Sequence, residues 1–257
     1  SFLSAIQYFG GGFIPFHGME ASSVTKGESF EDTIRTFSHF CNAIVLRHPD
    51  KGSSEHASHI SSVPIINAGD GGNEHPTQAI VELFTIQSHV HDLANATITI
   101  LGDLVYGRTI HSLLGILSLF PGITVHVVSP QELLLPRDRV SALRHHGMNL
   151  IEHTTIDDRI WMSDVFYVNR IKKEKFKDQK DYEKIRNWFR ITPDSLKKMK
   201  QTAIVMHPLP RADEIDTSVD TDPRAVYLTE QLDHMVTVRM ALLAMILHPD
   251  PIGALQE

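Results

Sequence analysis

Hydrophobic positions in this chain alternate between two spacings. Ser29 to Phe40 places Phe30, Ile34, Phe37 and Phe40 at helical intervals, which predicts a helix there. Ser1 to Phe9 reads as the body of another helix, broken at Gly10-Gly-Gly12, and Phe13-Ile-Pro-Phe16 is a short strand candidate. The polar stretch Ser22 to Glu28 follows as a loop, with Lys26 exposed. Short apolar runs then predict buried strands at Ala43 to Leu46, ending in Arg47-His48-Pro49, and at Val63 to Asn67. A helix from Thr77 to Gln87 comes next. After Asp92 the pattern restarts. Strands are expected at Ala96 to Leu101, Ile123 to Val128, Asn149 to His153, Val165 to Val168 and Ala203 to Met206. Helices are expected at Thr109 to Phe120, Arg137 to His146 and Thr229 to Leu247. Strand alternating with helix is the signature of a parallel α/β sheet.

Composition narrows the classes. A chain of 257 residues, 42% hydrophobic, can bury a large core and form two lobes. The formal net charge of −7 argues against a general binder of nucleic acid or membrane surfaces, so an anionic substrate would need arginines concentrated locally. No apolar run is long enough to span a bilayer. The single cysteine, Cys41, leaves no intrachain disulfide framework and fits a reducing, cytoplasmic setting; beside Ala43-Ile-Val-Leu46 it is expected to be a buried structural thiol. The 16 histidines are scattered, and neither His89-Val-His91 nor His145-His146 has cysteine or acidic neighbours at metal-ligand spacing, so no metal and no other cofactor is expected.

The richest stretch is Gly69-Asp-Gly-Gly-Asn-Glu-His-Pro-Thr-Gln78. Pro76 suits a first helical turn, where a backbone N–H lacks an intrahelical partner. His75 then sits at the cap, with Gln78 one turn on and facing the same way, and the positive end of the helix dipole favours an anion. An ordinary capped helix explains the same residues equally well. Gly102-Asp-Leu-Val-Tyr-Gly107 lies between strand and helix, yet it lacks the close glycine pair and the ribose-binding acid of a dinucleotide site, and the lysine ending of a P-loop. What remains is a set of arginines at strand or loop ends, Arg47, Arg108, Arg170 and Arg211. Each alone reads as a solvated cation, and Arg170 lies beside the charge run Lys172, Lys173, Glu174, Lys175. Taken with His75 and Gln78, they suggest a pocket for a phosphate and carboxylates, which the planar guanidinium meets in pairs. No nucleophile elbow occurs, which favours direct transfer between bound substrates.

His75-Pro-Thr-Gln78, Arg47-His-Pro49, Gly102-Asp-Leu with Gly107-Arg-Thr109, and His207-Pro-Leu-Pro-Arg211 together resemble the aspartate carbamoyltransferases. The loop Ser22 to Glu28 and Asp213-Glu-Ile215 fit as well, and the resemblance runs nearly end to end. Pro208 stands where the ornithine enzymes usually carry cysteine. The resemblance implies an α/β fold of two Rossmann-like lobes, each a parallel sheet flanked by helices, joined by interdomain helices. Residues 1–90, completed by the C-terminal helix 229–257, would be the carbamoyl-phosphate-binding lobe, and 91–228 the aspartate-binding lobe. It implies that Arg47, His75 and Gln78 hold carbamoyl phosphate, and that Arg47 and His75 polarise its carbonyl oxygen. Leu209 and Pro210 would accept the carbamoyl amide through backbone carbonyls, and Arg108 and Arg170 would clamp aspartate. Lys26 would enter from a neighbouring subunit, making the active site a shared one in a homotrimer. No cofactor is implied.

The chain departs from the family pattern in several places. The Ser-Thr-Arg-Thr phosphate motif does not occur, so the sequence is expected to be part of a longer protein. The usual Arg-x-Gln-Lys-Glu-Arg around Arg170 carries Lys172 for the glutamine and Lys175 for the last arginine, and Val105 replaces a common lysine. Two other readings follow from these changes. One is a catalytically weak homologue acting as a structural or regulatory subunit, and the other is a transcarbamoylase with a different amine acceptor.

Overall fold

The computed structural model describes residues 1–16, 27–186 and 188–248. Lys26 therefore lies outside the described residues. The chain divides into two compact units, residues 1–77 with 235–257, and residues 78–234.

The first unit opens with α1 (Phe2–Tyr8). The strand expected at Phe13 to Phe16 does not form: the segment has no regular structure and its side chains are exposed. Pro15 has no N–H to give a ladder, and Phe16 instead meets Phe37 edge-on with ring centroids 5.0 Å apart. Helix α2 (Phe30–Ser38) begins at Ser29, whose side chain accepts the Asp32 N–H, with Glu31 and Asp32 in the first turn. Strand β1 (Ile44–His48) pairs in parallel with β2 (Ile65–Asp70). Between them lies α3 (Ser53–Ile60), which the hydrophobic pattern does not announce because Ala57 is its sole buried apolar residue. Cys41 is only half-buried, with Sγ 3.1 Å from the Phe37 carbonyl, so the expected full burial is not met. It follows α2 on a short turn instead of lying within the strand.

Helix α4 (Pro76–His89) leads into the second unit. Its five strands are β3 (Thr97–Leu101), β4 (Thr124–Val128), β5 (Asn149–His153), β6 (Val165–Val168) and β7 (Ile204–Met206). All pair in parallel in the order β5-β4-β3-β6-β7. Strand β6 is apolar at successive positions because both faces are covered. Val165 and Tyr167 enter one core with Ile98, Ile100 and Val125, while Phe166 and Val168 enter a second with Leu101 and Val128. Each such buried side chain contributes roughly 1.5–3 kcal/mol. Around the sheet run α5 (Arg108–Leu117), α6 (Arg137–His145), α7 (Gln179–Ile185) and α8 (Pro193–Lys198). The last two are short and highly charged. They start on side-chain caps, Asp178 for α7 and a Thr192–Ser195 capping box for α8, and not on an apolar stripe. Helix α9 (Glu230–Leu247) returns the chain to the first unit, where Leu243 packs with Ala5 and Ile66. No described helix is long and apolar enough to cross a membrane.

The strand order places a topological switch between β3 and β6, where open parallel sheets bind ligands beyond their carboxyl ends. Gly102 makes the approach of those ends possible. Its φ is +123°, and a Cβ built there would lie 1.9 Å from the Asn169 carbonyl oxygen. Gly102→Ala is expected to cost roughly 3 kcal/mol or more, from backbone strain and the clash together, and to lower the thermal midpoint of the purified protein. An unchanged midpoint would show that the β6 end can retreat.

Candidate active site

In the first unit, parallel pairing brings the carboxyl ends of β1 and β2 to the same edge. Register shifts between Leu46 and His48, so exposed Arg47 sits at the irregularity. Such irregularities re-aim a side chain. The turn after Arg47 is tied to the loop after β2. Gly71 N–H donates to the His48 carbonyl at 2.7 Å, and a Cβ on Gly71 (φ +55°) would meet the Pro49 carbonyl oxygen at 2.4 Å. Asp70 organises the loop, accepting from Gly52 N–H at 2.9 Å, Asn73 Nδ2 at 3.0 Å and Glu74 N–H at 3.0 Å. Burial works to raise the Asp70 carboxyl, but these donors outweigh it and hold it below its ordinary value. The loop delivers half-buried His75 to the residue before α4, as the position of Pro76 implied, with Nδ1 a long 3.5 Å from Thr77 Oγ1.

In the second unit, Gln78 is buried in the first turn of α4 and gives its Nε2 to Glu82 Oε1 at 2.6 Å. Arg108 is the first residue of α5, following the β3 end, and Arg170 follows the β6 end, so both flank the switch point. Lys172 joins them. Burial and the charges of Arg108 and Arg170 hold its ammonium below lysine's ordinary pKa, against the pull of Asp103. Its Nζ donates to the Tyr106 carbonyl, and its backbone N–H reaches Asp103 Oδ2 at 3.4 Å. Asp103 is fully buried, which raises its carboxyl although Tyr106 N–H donates to it at 2.8 Å. Arg170 also meets Glu174 through both terminal nitrogens, at 3.2 and 2.6 Å. The charge run around Lys172 is thus more than a polar face, because it supplies a third cation to the pair of arginines.

Beyond β7, buried His207 sets the next loop. Its Nδ1 accepts Leu209 N–H at 2.8 Å, which leaves Nε2 to donate to Glu214 Oε1 at 2.7 Å. Leu209 has a φ of 51°, unusual for a non-glycine residue, and precedes exposed Pro210. Burial pushes the Glu214 carboxyl up, yet the His207 ring and the Ala212 N–H outweigh it, so the carboxyl lies below its ordinary value. A depressed carboxylate contributes stability above its unfolded pKa of about 4.3, and this is lost as pH falls through the folded value. Glu214→Gln is therefore expected to remove part of the acid-side loss in urea unfolding titrations. It should also cost about 1–3 kcal/mol at neutral pH, if the His207 donor is left poorly paired. An unaltered acid limb would reject the assignment.

Arg211 does not join the cations at the switch point. It forks onto Asp220, with NH2 to Oδ2 at 2.5 Å, and meets the Tyr227 hydroxyl at 3.0 Å, so it is a structural ion pair. Sequence reasoning also passed over Glu82 and Gln231. The spacing of Gln78 and Glu82, one turn apart on α4, was a readable signal for the first; nothing local marks Gln231. Among the described residues no group of three or more His, Cys, Asp or Glu is arranged to hold a metal.

An open parallel sheet with Arg108, Arg170 and Lys172 at its switch point defines an α/β protein that presents cations at its strand ends, where sheets of this kind bind ligands. Comparison with known proteins gives the family. Residues 1–88 match the aspartate/ornithine carbamoyltransferase carbamoyl-P binding domain, and residues 94–246 match the Asp/Orn binding domain of the same family. The chain is 43% identical over 248 residues to the aspartate carbamoyltransferase catalytic subunit of Alkaliphilus oremlandii, covering 96% of this chain and 75% of that one. It is likewise 43% identical over 246 residues to the multifunctional protein pyr1-3 of Dictyostelium discoideum, of which it spans 11% while 96% of this chain is covered. The fold superposes on the Trypanosoma cruzi aspartate transcarbamoylase crystallised with carbamoyl phosphate and aspartate. The TM-score is 0.87 at 38% identity, with 94% of this chain and 78% of that one covered. The chain belongs to the aspartate/ornithine carbamoyltransferase family.

Proposed function

We propose that this protein transfers the carbamoyl group of carbamoyl phosphate to the amine of L-aspartate, giving N-carbamoyl-L-aspartate and phosphate for pyrimidine synthesis. The observation that carries the reading is the gathering of Arg108, Arg170 and Lys172 about the switch point, in the segment that matches the family's Asp/Orn binding domain. A dicarboxylate amine needs that charge, and guanidinium groups meet its oxygens in pairs. In this reading Arg47, His75 and Gln78 hold carbamoyl phosphate, with Arg47 and His75 stabilising charge on its carbonyl oxygen as the amine attacks. The carbonyls of Leu209 and Pro210 accept the carbamoyl amide, and Arg108 and Arg170 hold aspartate. Residues 1–90 with 229–257 form the carbamoyl-phosphate lobe and 91–228 the aspartate lobe. Lys26 of a neighbouring copy completes the site, so the working assembly is a homotrimer. The unpaired thiol of Cys41 supports a cytoplasmic setting. Orientation and electrostatics supply the rate, and phosphate is the leaving group. A colorimetric carbamoyl-aspartate assay on the full-length protein tests this; no product above the uncatalysed background rejects it.

Lys172 favours a second reading, a different amine acceptor, because an ammonium stands where the family has an amide. The two separate by pH. If Lys172 helps hold a dicarboxylate, the aspartate KM rises on the alkaline side as the depressed ammonium loses its proton, and Lys172→Gln flattens that limb. A KM profile identical in wild type and variant would remove Lys172 from acceptor binding.

A further inference from the structure

Within the second unit, Gln78 belongs to a buried hydrogen-bond hub. Glu82, on α4, is completely buried, as are Gln231 on α9 and Tyr167 on β6. The Glu82 carboxylate accepts from Gln78 Nε2 at 2.6 Å, from Gln231 Nε2 at 2.6 Å and from the Tyr167 hydroxyl at 3.4 Å. Gln231 in turn accepts the His207 backbone N–H through Oε1 at 3.1 Å. From His207 the chain continues to Leu209, whose N–H is held by the His207 ring, and that ring is held by Glu214.

The direction of both Gln231 bonds follows from one constraint. A backbone N–H can only donate, so Gln231 must present its carbonyl oxygen to His207 and its NH2 to Glu82. Glu82 therefore acts as an acceptor toward Gln231. As an ionised carboxylate it also accepts from Gln78 Nε2, which turns the Gln78 carbonyl oxygen to the side away from Glu82. The hub thus sets the amide orientation of Gln78 and, through Gln231, anchors the start of the turn that carries the Leu209 and Pro210 carbonyls. All of these are acceptors, suited to a ligand NH2 and indifferent to a methyl group.

We infer that Glu82 is the positioning residue for carbamoyl recognition: by fixing Gln78 and the His207–Pro210 turn as acceptors, it makes the site select the NH2 of carbamoyl phosphate over an isosteric acyl phosphate. The inference rests on the reading of Gln78, Leu209 and Pro210 given above. Burial makes the hub costly to disturb, since a buried group without its partner bears its full desolvation cost.

The test compares wild type with Glu82→Gln and Gln231→Leu in the full-length protein, measuring KM for carbamoyl phosphate, KM for aspartate, and competitive inhibition by acetyl phosphate, which carries a methyl group in place of the NH2. Near-ultraviolet circular dichroism checks the packing of each variant. The expected result is a rise of at least about tenfold in the carbamoyl phosphate KM, the loss of one well-made hydrogen bond to a charged or aligned group. The acetyl phosphate inhibition constant should stay within about twofold of wild type, so discrimination collapses. Gln231→Leu leaves the Gln78–Glu82 bond in place and should move the same ratio, by less. An unchanged carbamoyl phosphate KM, or constants for both acyl phosphates that shift by the same factor, would overturn the inference while leaving the activity standing. A wild-type protein that makes no carbamoyl aspartate would overturn both.

Discussion

Alanine at His75 or at Arg47 is expected to lower kcat by at least about tenfold, the loss of a donor to a developing oxyanion being worth about 10²–10³ where such a donor is central. Both residues stand at the carboxyl end of the β1–β2 pair, His75 on the loop organised by buried Asp70 and Arg47 at the shift in strand register. Asp70 and the Gly71–His48 backbone bond hold the loop, so truncating either side chain is expected to leave it in place. The effect should therefore fall on turnover and not on folding. Rapid-quench or steady-state assays at saturating substrates read it directly. Turnover unchanged in both variants would remove them from the chemistry. A fall in stability matching the fall in activity would instead make them structural.

Arg170→Ala should act on the other substrate. Its NH1 and NH2 groups already meet Glu174, and a guanidinium offers about five donors, so it can face a second carboxylate while that pair persists. Removing it deletes a charge-assisted bond worth about 1.5–3 kcal/mol and leaves Glu174 as an anion beside the acceptor. The aspartate KM should rise by roughly 10- to 150-fold, with the carbamoyl phosphate KM little altered. Arg170→Lys is expected to recover only part, because an ammonium cannot reproduce the paired geometry. Glu174→Gln supplies the converse, a KM at or below that of wild type. An aspartate dependence unaltered by Arg170→Ala would reject the clamp.

Local pattern gave the elements with most to bury. Strand β6 is a continuous apolar run because both sheet faces are covered, β3 and β4 send Ile98, Ile100, Val125 and Val127 into one core, and the expected and observed ranges of all three nearly coincide. The start of α4 was equally readable from Pro76. The pattern failed where stability comes from elsewhere. Helices α3, α7 and α8 are short, polar and held by caps or by packing, so their hydrophobic periodicity is weak. Phe13 to Phe16 reads as a short strand candidate, but an apolar tetrapeptide with proline in it has no ladder to join.

The sequence by itself determined the fold class, the alternation of strand and helix, and a set of candidates for meeting anions: His75, Gln78, Arg47, Arg108, Arg170 and Arg211. These are carried by composition and spacing, which survive in one dimension. The tertiary structure alone decided which cations gather. It drew Lys172 toward Arg108 and Arg170, committed Arg211 to Asp220, and buried Glu82 against Gln231 from far along the chain. Strand order and burial set those partnerships, since whether a charge is solvated, paired or aimed at a ligand depends on its neighbours in space, and those neighbours come from segments that sequence separation conceals.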